Sequence, residues 1–285
     1  MERAFRTDTG EIRFFWKLAA TLILLIVLII VSRVALIFVV QQIFILQGVP
    51  SSVVFQTAQN FVAESSEGQA IASSLDTVLT VILVVVLVTR IEKHEFHLDA
   101  IGLNLQRNTL PLMGLGFVIG YVIFLGAIMF GTLFNTIELP VLLALNQWSL
   151  WSTLIAAIIF YILNAFWQEI VFRGYLQTQA INEYGRIIGI VLIAVIFVVF
   201  HGLVQALTPI GILSGLLLFG FIGLLYDKTR SLYLVGVIHA VLNFLPVLFD
   251  IMWSGLETGL MYGIALLLLM LVTYQTEQRR SHVHE

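Results

Sequence analysis

Leu150-Trp-Ser-Thr-Leu-Ile-Ala-Ala-Ile-Ile-Phe-Tyr-Ile-Leu-Asn-Ala-Phe-Trp-Gln168-Glu169-Ile-Val-Phe-Arg173-Gly174 is apolar for nearly the thickness of a bilayer and then carries an acid and a base. About 20 apolar residues cross the hydrocarbon core. No water is present there to satisfy peptide groups, so the stretch has to be helical. An ionisable side chain at the centre of such a helix costs roughly 2.5–3.5 kcal/mol. A chain retains one only if it is paired, lines a cavity or does chemistry. Glu169 and Arg173 are four residues apart, on one helix face, and are expected to form an ion pair. Gln168 lies about 100° around the helix from Glu169 and faces elsewhere.

The rest of the chain has the same character. Its 285 residues are 60% hydrophobic and only 11% charged, against about 25% charged in a soluble domain, and the mean hydropathy is +1.02. The fold class is therefore all-α, a polytopic membrane protein. Eight transmembrane helices in one bundle are expected, at about Trp16–Leu46, Ala70–Val88, Leu110–Leu133, Leu150–Gln177, Ile187–Leu207, Ile210–Leu225, Leu232–Phe249 and Gly259–Tyr274. The run from Phe14 to Leu46 is too long for a signal peptide and reads as the first span.

Lys and Arg set the orientation. Arg3, Arg6, Arg13 and Lys17 stand at the N-terminal end; Arg90, Lys93 and Arg107 lie in the second connection; Arg186 in the fourth; Lys228 and Arg230 in the sixth; Arg279 and Arg280 in the tail. Only Arg33 and Arg173 fall inside helices, and the remaining connections hold none. Both termini are thus expected to be cytoplasmic. Gln47 to Gly68 reads as a polar outer loop, and Glu92 to Asn108 as a segment lying on the membrane surface. No repeat or linker divides the chain, so residues 1–285 are read as a single membrane domain. The absence of cysteine excludes disulfides and thiolate chemistry. No basic patch with interleaved aromatics points to nucleic acid.

Two further polar motifs stand in apolar helices. Phe197-x-x-x-His201 sets a ring one turn from an imidazole, and His239-x-x-x-Asn243 stacks two polar groups on one face. Singly, each is also what an interhelical hydrogen bond looks like. At 1.5 Å per residue, Glu169 and His239 fall roughly 10–12 Å, and His201 about 20 Å, from the cytoplasmic ends of their helices. One cavity within the bilayer can take all of them.

The series Gln168-Glu169-x-x-x-Arg173, Phe197-x-x-x-His201 and His239-x-x-x-Asn243 resembles the type II CAAX prenyl endopeptidases. These belong to the wider group of CAAX protease and bacteriocin-processing intramembrane proteases. The resemblance covers about 150–249. It implies an eight-helix bundle and hydrolysis of a peptide bond by an activated water. It also implies that His201 helps to orient and deprotonate that water, that His239 and Asn243 form an oxyanion hole, and that Arg173 holds Glu169. The substrate implied is a membrane-anchored or lipidated peptide, and the setting most in keeping with so compact a chain is a bacterial plasma membrane.

At one position the chain departs from the family, which has a glutamate where Gln168 stands. Gln cannot accept a proton, and general-base assistance contributes about 10²- to 10⁴-fold. Three readings stay open. The chain is a natural pseudoprotease; or it carries a Glu-to-Gln change introduced to trap substrate; or Glu169 serves as base. Zinc is left open as well, because the family has been described as metalloprotease-like and Glu, His and Asn all ligate metals. The spacing is not that of a His-Glu-x-x-His zinc site, and a metal-free glutamate mechanism uses the same residues. A different class of function, a membrane peptide-binding, regulatory or immunity protein or a transporter, would also use buried Glu and His. A transporter would favour repeat symmetry, which is not seen here.

Overall fold

The computed structural model describes residues 5–7, 10–136, 148–203, 206–249, 251 and 255–281. Among these residues the regular structure is helical and no strand forms. In order the helices are α1 (Phe14–Leu46), α2 (Val54–Glu64), α3 (Ser66–Val86), α4 (Thr109–Leu133), α5 (Trp148–Glu169), α6 (Thr178–Tyr184), α7 (Arg186–His201), α8 (Pro209–Thr229), α9 (Leu232–Leu248) and α10 (Leu256–Ser281). Two π-helical stretches extend them, Leu87–Ile91 after α3 and Ile170–Gln177 between α5 and α6.

Capping chemistry starts three of them. Ser65 accepts from the Gly68 amide at α3, Thr208 from Gly211 at α8, and Ser231 from Leu234 at α9, each satisfying an amide that the first turn leaves over. Pro209 opens α8 where a missing N–H costs nothing.

Each of the eight apolar segments read from the sequence is helical. Six elements are long and apolar enough to cross a membrane: Phe14–Leu46, Ser66–Ile91, Thr109–Leu133, Trp151–Tyr184, Pro209–Thr229 and Leu256–Thr276. The protein is an integral membrane protein. The other two, α7 and α9, have 16 and 17 residues. At 1.5 Å per residue they reach about 24–26 Å, short of a hydrocarbon core of about 30 Å.

Two boundaries differ from expectation. The polar outer loop contains a helix, α2, whose Val54, Ala58 and Val62 are buried at four-residue intervals while the intervening polar side chains face outward. α7 stops at His201 rather than near Leu207, with Gly202 and Leu203 turning away.

The chain forms two compact units, one from Met1–Ala100 and Leu143–Val171, the other from Ile101–Leu142 and Phe172–Glu285. In the first, α5 packs along α3, and α2 folds back on α1 through Val40, Ala58 and Val62, with Ile37, Phe44 and Phe61 around them. Two ion pairs tie its helices, the first buried on both sides and the second with Arg33 half-buried. Lys17 meets Glu92 at 3.4 Å. Arg33, the basic residue the sequence left inside a helix, pairs through Nη2 with Asp76, which also accepts from Ser32 Oγ at 3.1 Å.

In the second unit α9 packs along α4, α10 along α8 and α4, and α7 against α6 and α8. The α4–α9 seam depends on a Gly116-x-x-x-Gly120 pair. A Cβ on Gly116 would come within 2.6 Å of the Leu234 carbonyl oxygen, and one on Gly120 within 2.9 Å of Val241. Small residues let helix backbones approach this closely in a membrane, where packing rather than water drives association. Residues 101–103 are held by this unit: Gly102 O accepts from Leu232 N at 3.0 Å, and Leu103 O from Tyr233 Oη at 3.0 Å. Ile101 is buried, against Gly174, so this end of the expected surface segment is packed into protein.

Candidate active site

Gln168 and Glu169 are the last two residues of α5, and both are buried in the first unit. Gln168 Oε1 is buried and has no hydrogen-bond partner among the described residues. Directly after them the helix passes into its π stretch, whose amides reach back five residues instead of four. Such stretches are frequent at functional sites. Arg173 is borne by this stretch and belongs to the second unit, together with His201, His239 and Asn243.

Within the second unit three of the motif residues gather on one aromatic core. The Arg173 side chain is fully buried. Its guanidinium carbon lies 4.3 Å from the centre of the Phe197 ring and 5.1 Å from that of Phe219, and Nη2 donates to the Phe219 carbonyl at 3.4 Å. The two rings stack at 4.2 Å, and Phe172 also stacks on Phe197 at 4.2 Å. His201 sits edge-on to Phe197 at 4.7 Å and 5.2 Å from Phe219. His239 is 5.9 Å from Phe197 and 6.1 Å from Phe219. A guanidinium within about 6 Å of a ring face is attracted by the ring quadrupole, most strongly where water is excluded. The Phe-x-x-x-His turn expected from the sequence is thus observed as a ring contact. Asn243 stands one turn beyond His239 on α9 and is half-buried.

The residue the sequence reading missed is Phe219. It lies in an apolar run of α8, where nothing distinguishes an inward ring from a lipid-facing one. Its role shows only once α7, α8 and α9 are packed.

His201 closes α7 with a bond that determines its chemistry. Nδ1 lies 2.9 Å from the Phe197 carbonyl oxygen. A carbonyl only accepts, so Nδ1 carries a proton and donates it, which fixes the orientation of the ring. A second hydrogen bond of this unit holds the π stretch in place: Gln177 donates Nε2 to the Gly223 carbonyl at 2.9 Å.

The described residues contain no group of three or more His, Asp or Glu side chains able to hold a metal ion together. Among those residues zinc thus finds no His, Asp and Glu cluster of the size a catalytic site uses.

A buried cation on aromatic rings with two imidazoles, set in apolar helices, belongs to an α-helical membrane protein with a polar site among its helices. Residues 147–245 match a family model described as type II CAAX prenyl endopeptidase Rce1-like. All three motifs lie inside that segment, and the family read from them is borne out there. That family is one of proteases. No curated protein matches the chain.

Proposed function

We propose that the protein is an intramembrane endopeptidase scaffold, built to hydrolyse a peptide bond in a membrane-anchored or lipidated, CAAX-like protein with an activated water. The observation that carries the reading is the gathering of Arg173, His201 and His239 on the Phe197–Phe219 ring pair. In this reading His201, held through Nδ1 by the Phe197 carbonyl, orients and deprotonates the water. His239 and Asn243 supply donors for the oxyanion, each worth roughly 3–4 kcal/mol when aimed at developing charge. Arg173 and Glu169 complete the constellation that the resemblance implies. In the same reading α7 and α9 make up eight crossings. The one-sided Lys and Arg support cytoplasmic termini, and the reading sets the chain in a bacterial plasma membrane.

Gln168 stands where the resemblance expects the base. An amide cannot take the proton, so the chain as it stands is expected to be weak or silent in hydrolysis. This observation also favours a second reading, a protein that binds membrane peptides in a regulatory or immunity role without cutting them.

The two are separated by a quenched farnesylated peptide, offered in nanodiscs to the chain and to Gln168→Glu. The proposal expects about a 10²- to 10⁴-fold gain in cleavage for the variant. Equal cleavage by both would remove Gln168 from the base position and turn attention to Glu169. Silence from both, with the peptide retained, would favour the binding reading.

A further inference from the structure

The first unit holds a cavity of about 390 Å³ that none of the motif residues lines. Arg33 and Ile37 of α1, Gln59 of α2, Gln69 of α3, and Phe160 and Asn164 of α5 form its wall. Arg33 engages Asp76 through Nη2 alone. Its Nη1 is buried and has no hydrogen-bond partner among the described residues. Asn164 uses Oδ1 to accept from Trp167 Nε1 at 3.1 Å, which leaves its amide N–H groups over. Gln69 donates to the Ala63 carbonyl at 2.8 Å. The cavity therefore combines spare donors, one of them on a guanidinium, with the apolar side chains of Ile37 and Phe160. A buried donor left without an acceptor is costly, so the site calls for an oxygen acceptor on an apolar body.

Depth identifies the source of that oxygen. The Lys17–Glu92 and Arg33–Asp76 pairs both link α1 to the helix that starts at Ser66 or to its end. Arg33 lies sixteen residues beyond Lys17, and Asp76 sixteen before Glu92. At 1.5 Å per residue the two charged layers are about 24 Å apart. In a hydrocarbon core of about 30 Å, a Lys17–Glu92 layer at one boundary puts Arg33 close to the opposite one. Lipid ester carbonyls and phosphates begin there, and acyl chains lie below.

We infer that this cavity binds one phospholipid, whose acceptor oxygen takes hydrogen bonds from Arg33 Nη1 and the Asn164 amide while its chain lies against Ile37 and Phe160. Asp76 already balances Arg33, so zwitterionic and anionic headgroups are both accepted. The site does not depend on the peptidase reading.

The test is native mass spectrometry of the purified full chain in mild detergent, after exposure to dioleoyl phosphatidylcholine, its diether analogue or dioleoyl phosphatidylglycerol. One lipid is expected to stay on each chain. Retention should fall at least fivefold in Asn164→Leu and Arg33→Lys at an unchanged unfolding midpoint. If Arg33→Lys does not fold, Gln59→Leu, at an exposed position, takes its place. Loss of the diether alone assigns the acceptor to an ester carbonyl; retention of both lipids assigns it to the phosphodiester. No retained lipid in the unmodified chain, or equal retention in the variants, overturns the inference.

Discussion

Removing the positive charge of Arg173 and the ring of Phe197, separately and together, measures how firmly the site is clamped. Both side chains are fully buried, and the guanidinium stands 4.3 Å from the ring centre. A desolvated cation–π contact is worth about 2 kcal/mol or more, an exposed one about 0.5–1. Arg173→Met also loses the hydrogen bond to the Phe219 carbonyl, and Phe197→Leu loses the stacking with Phe172 and Phe219. Those losses occur whether or not the partner is present, and they cancel in a double-mutant cycle. What remains is the contact between Arg173 and Phe197, so a coupling of about 1–2 kcal/mol is expected. The assay is reversible unfolding in mixed micelles by titration with SDS, followed by circular dichroism. A coupling below about 0.5 kcal/mol is within ordinary additivity. That result would refute the idea that Arg173 clamps the ring against which His201 packs.

Two further predictions concern the helices that frame the site. Gly116→Val is expected to force α4 from α9, because its Cβ would meet the Leu234 carbonyl oxygen at 2.6 Å; a stability loss of about 1–3 kcal/mol in the same titration would match overpacking, and an unchanged midpoint would contradict the close seam. Asp76→Asn should cost about 1–3 kcal/mol by leaving the half-buried Arg33 without its counterion, whereas Arg33→Leu with Asp76→Leu should come within about 1 kcal/mol of the original; thermal unfolding in detergent distinguishes the two.

The apolar segments were legible because hydrocarbon leaves a backbone one option over such lengths. α2 was readable in principle from Val54, Ala58 and Val62, but its polar residues gave it the look of a loop. The end of α7 at His201 turns on Gly202, a weak signal inside an apolar run. Nothing in the sequence marks residues 170–177 as π-helical, since that depends on the packing that holds them. The three motifs stood out because polar side chains are rare in this chain. Phe219 did not, because an aromatic ring among leucines has the same transfer energy whether it faces lipid or a histidine. Arg33 was visible as an anomaly, and only the structure supplies Asp76 as its partner.

The π stretch Ile170–Gln177, which carries Arg173, makes chain length a structural variable. Deleting a single residue from Ile170–Gln177 would let the segment relax to an ordinary α-helix, and each residue removed turns everything beyond it by about 100° about the axis. A deletion between Arg173 and Gln177 would thus turn Arg173 away from Phe197 and Phe219, which follow on α7 and α8. In this stretch the number of residues, more than their identity, decides where Arg173 points.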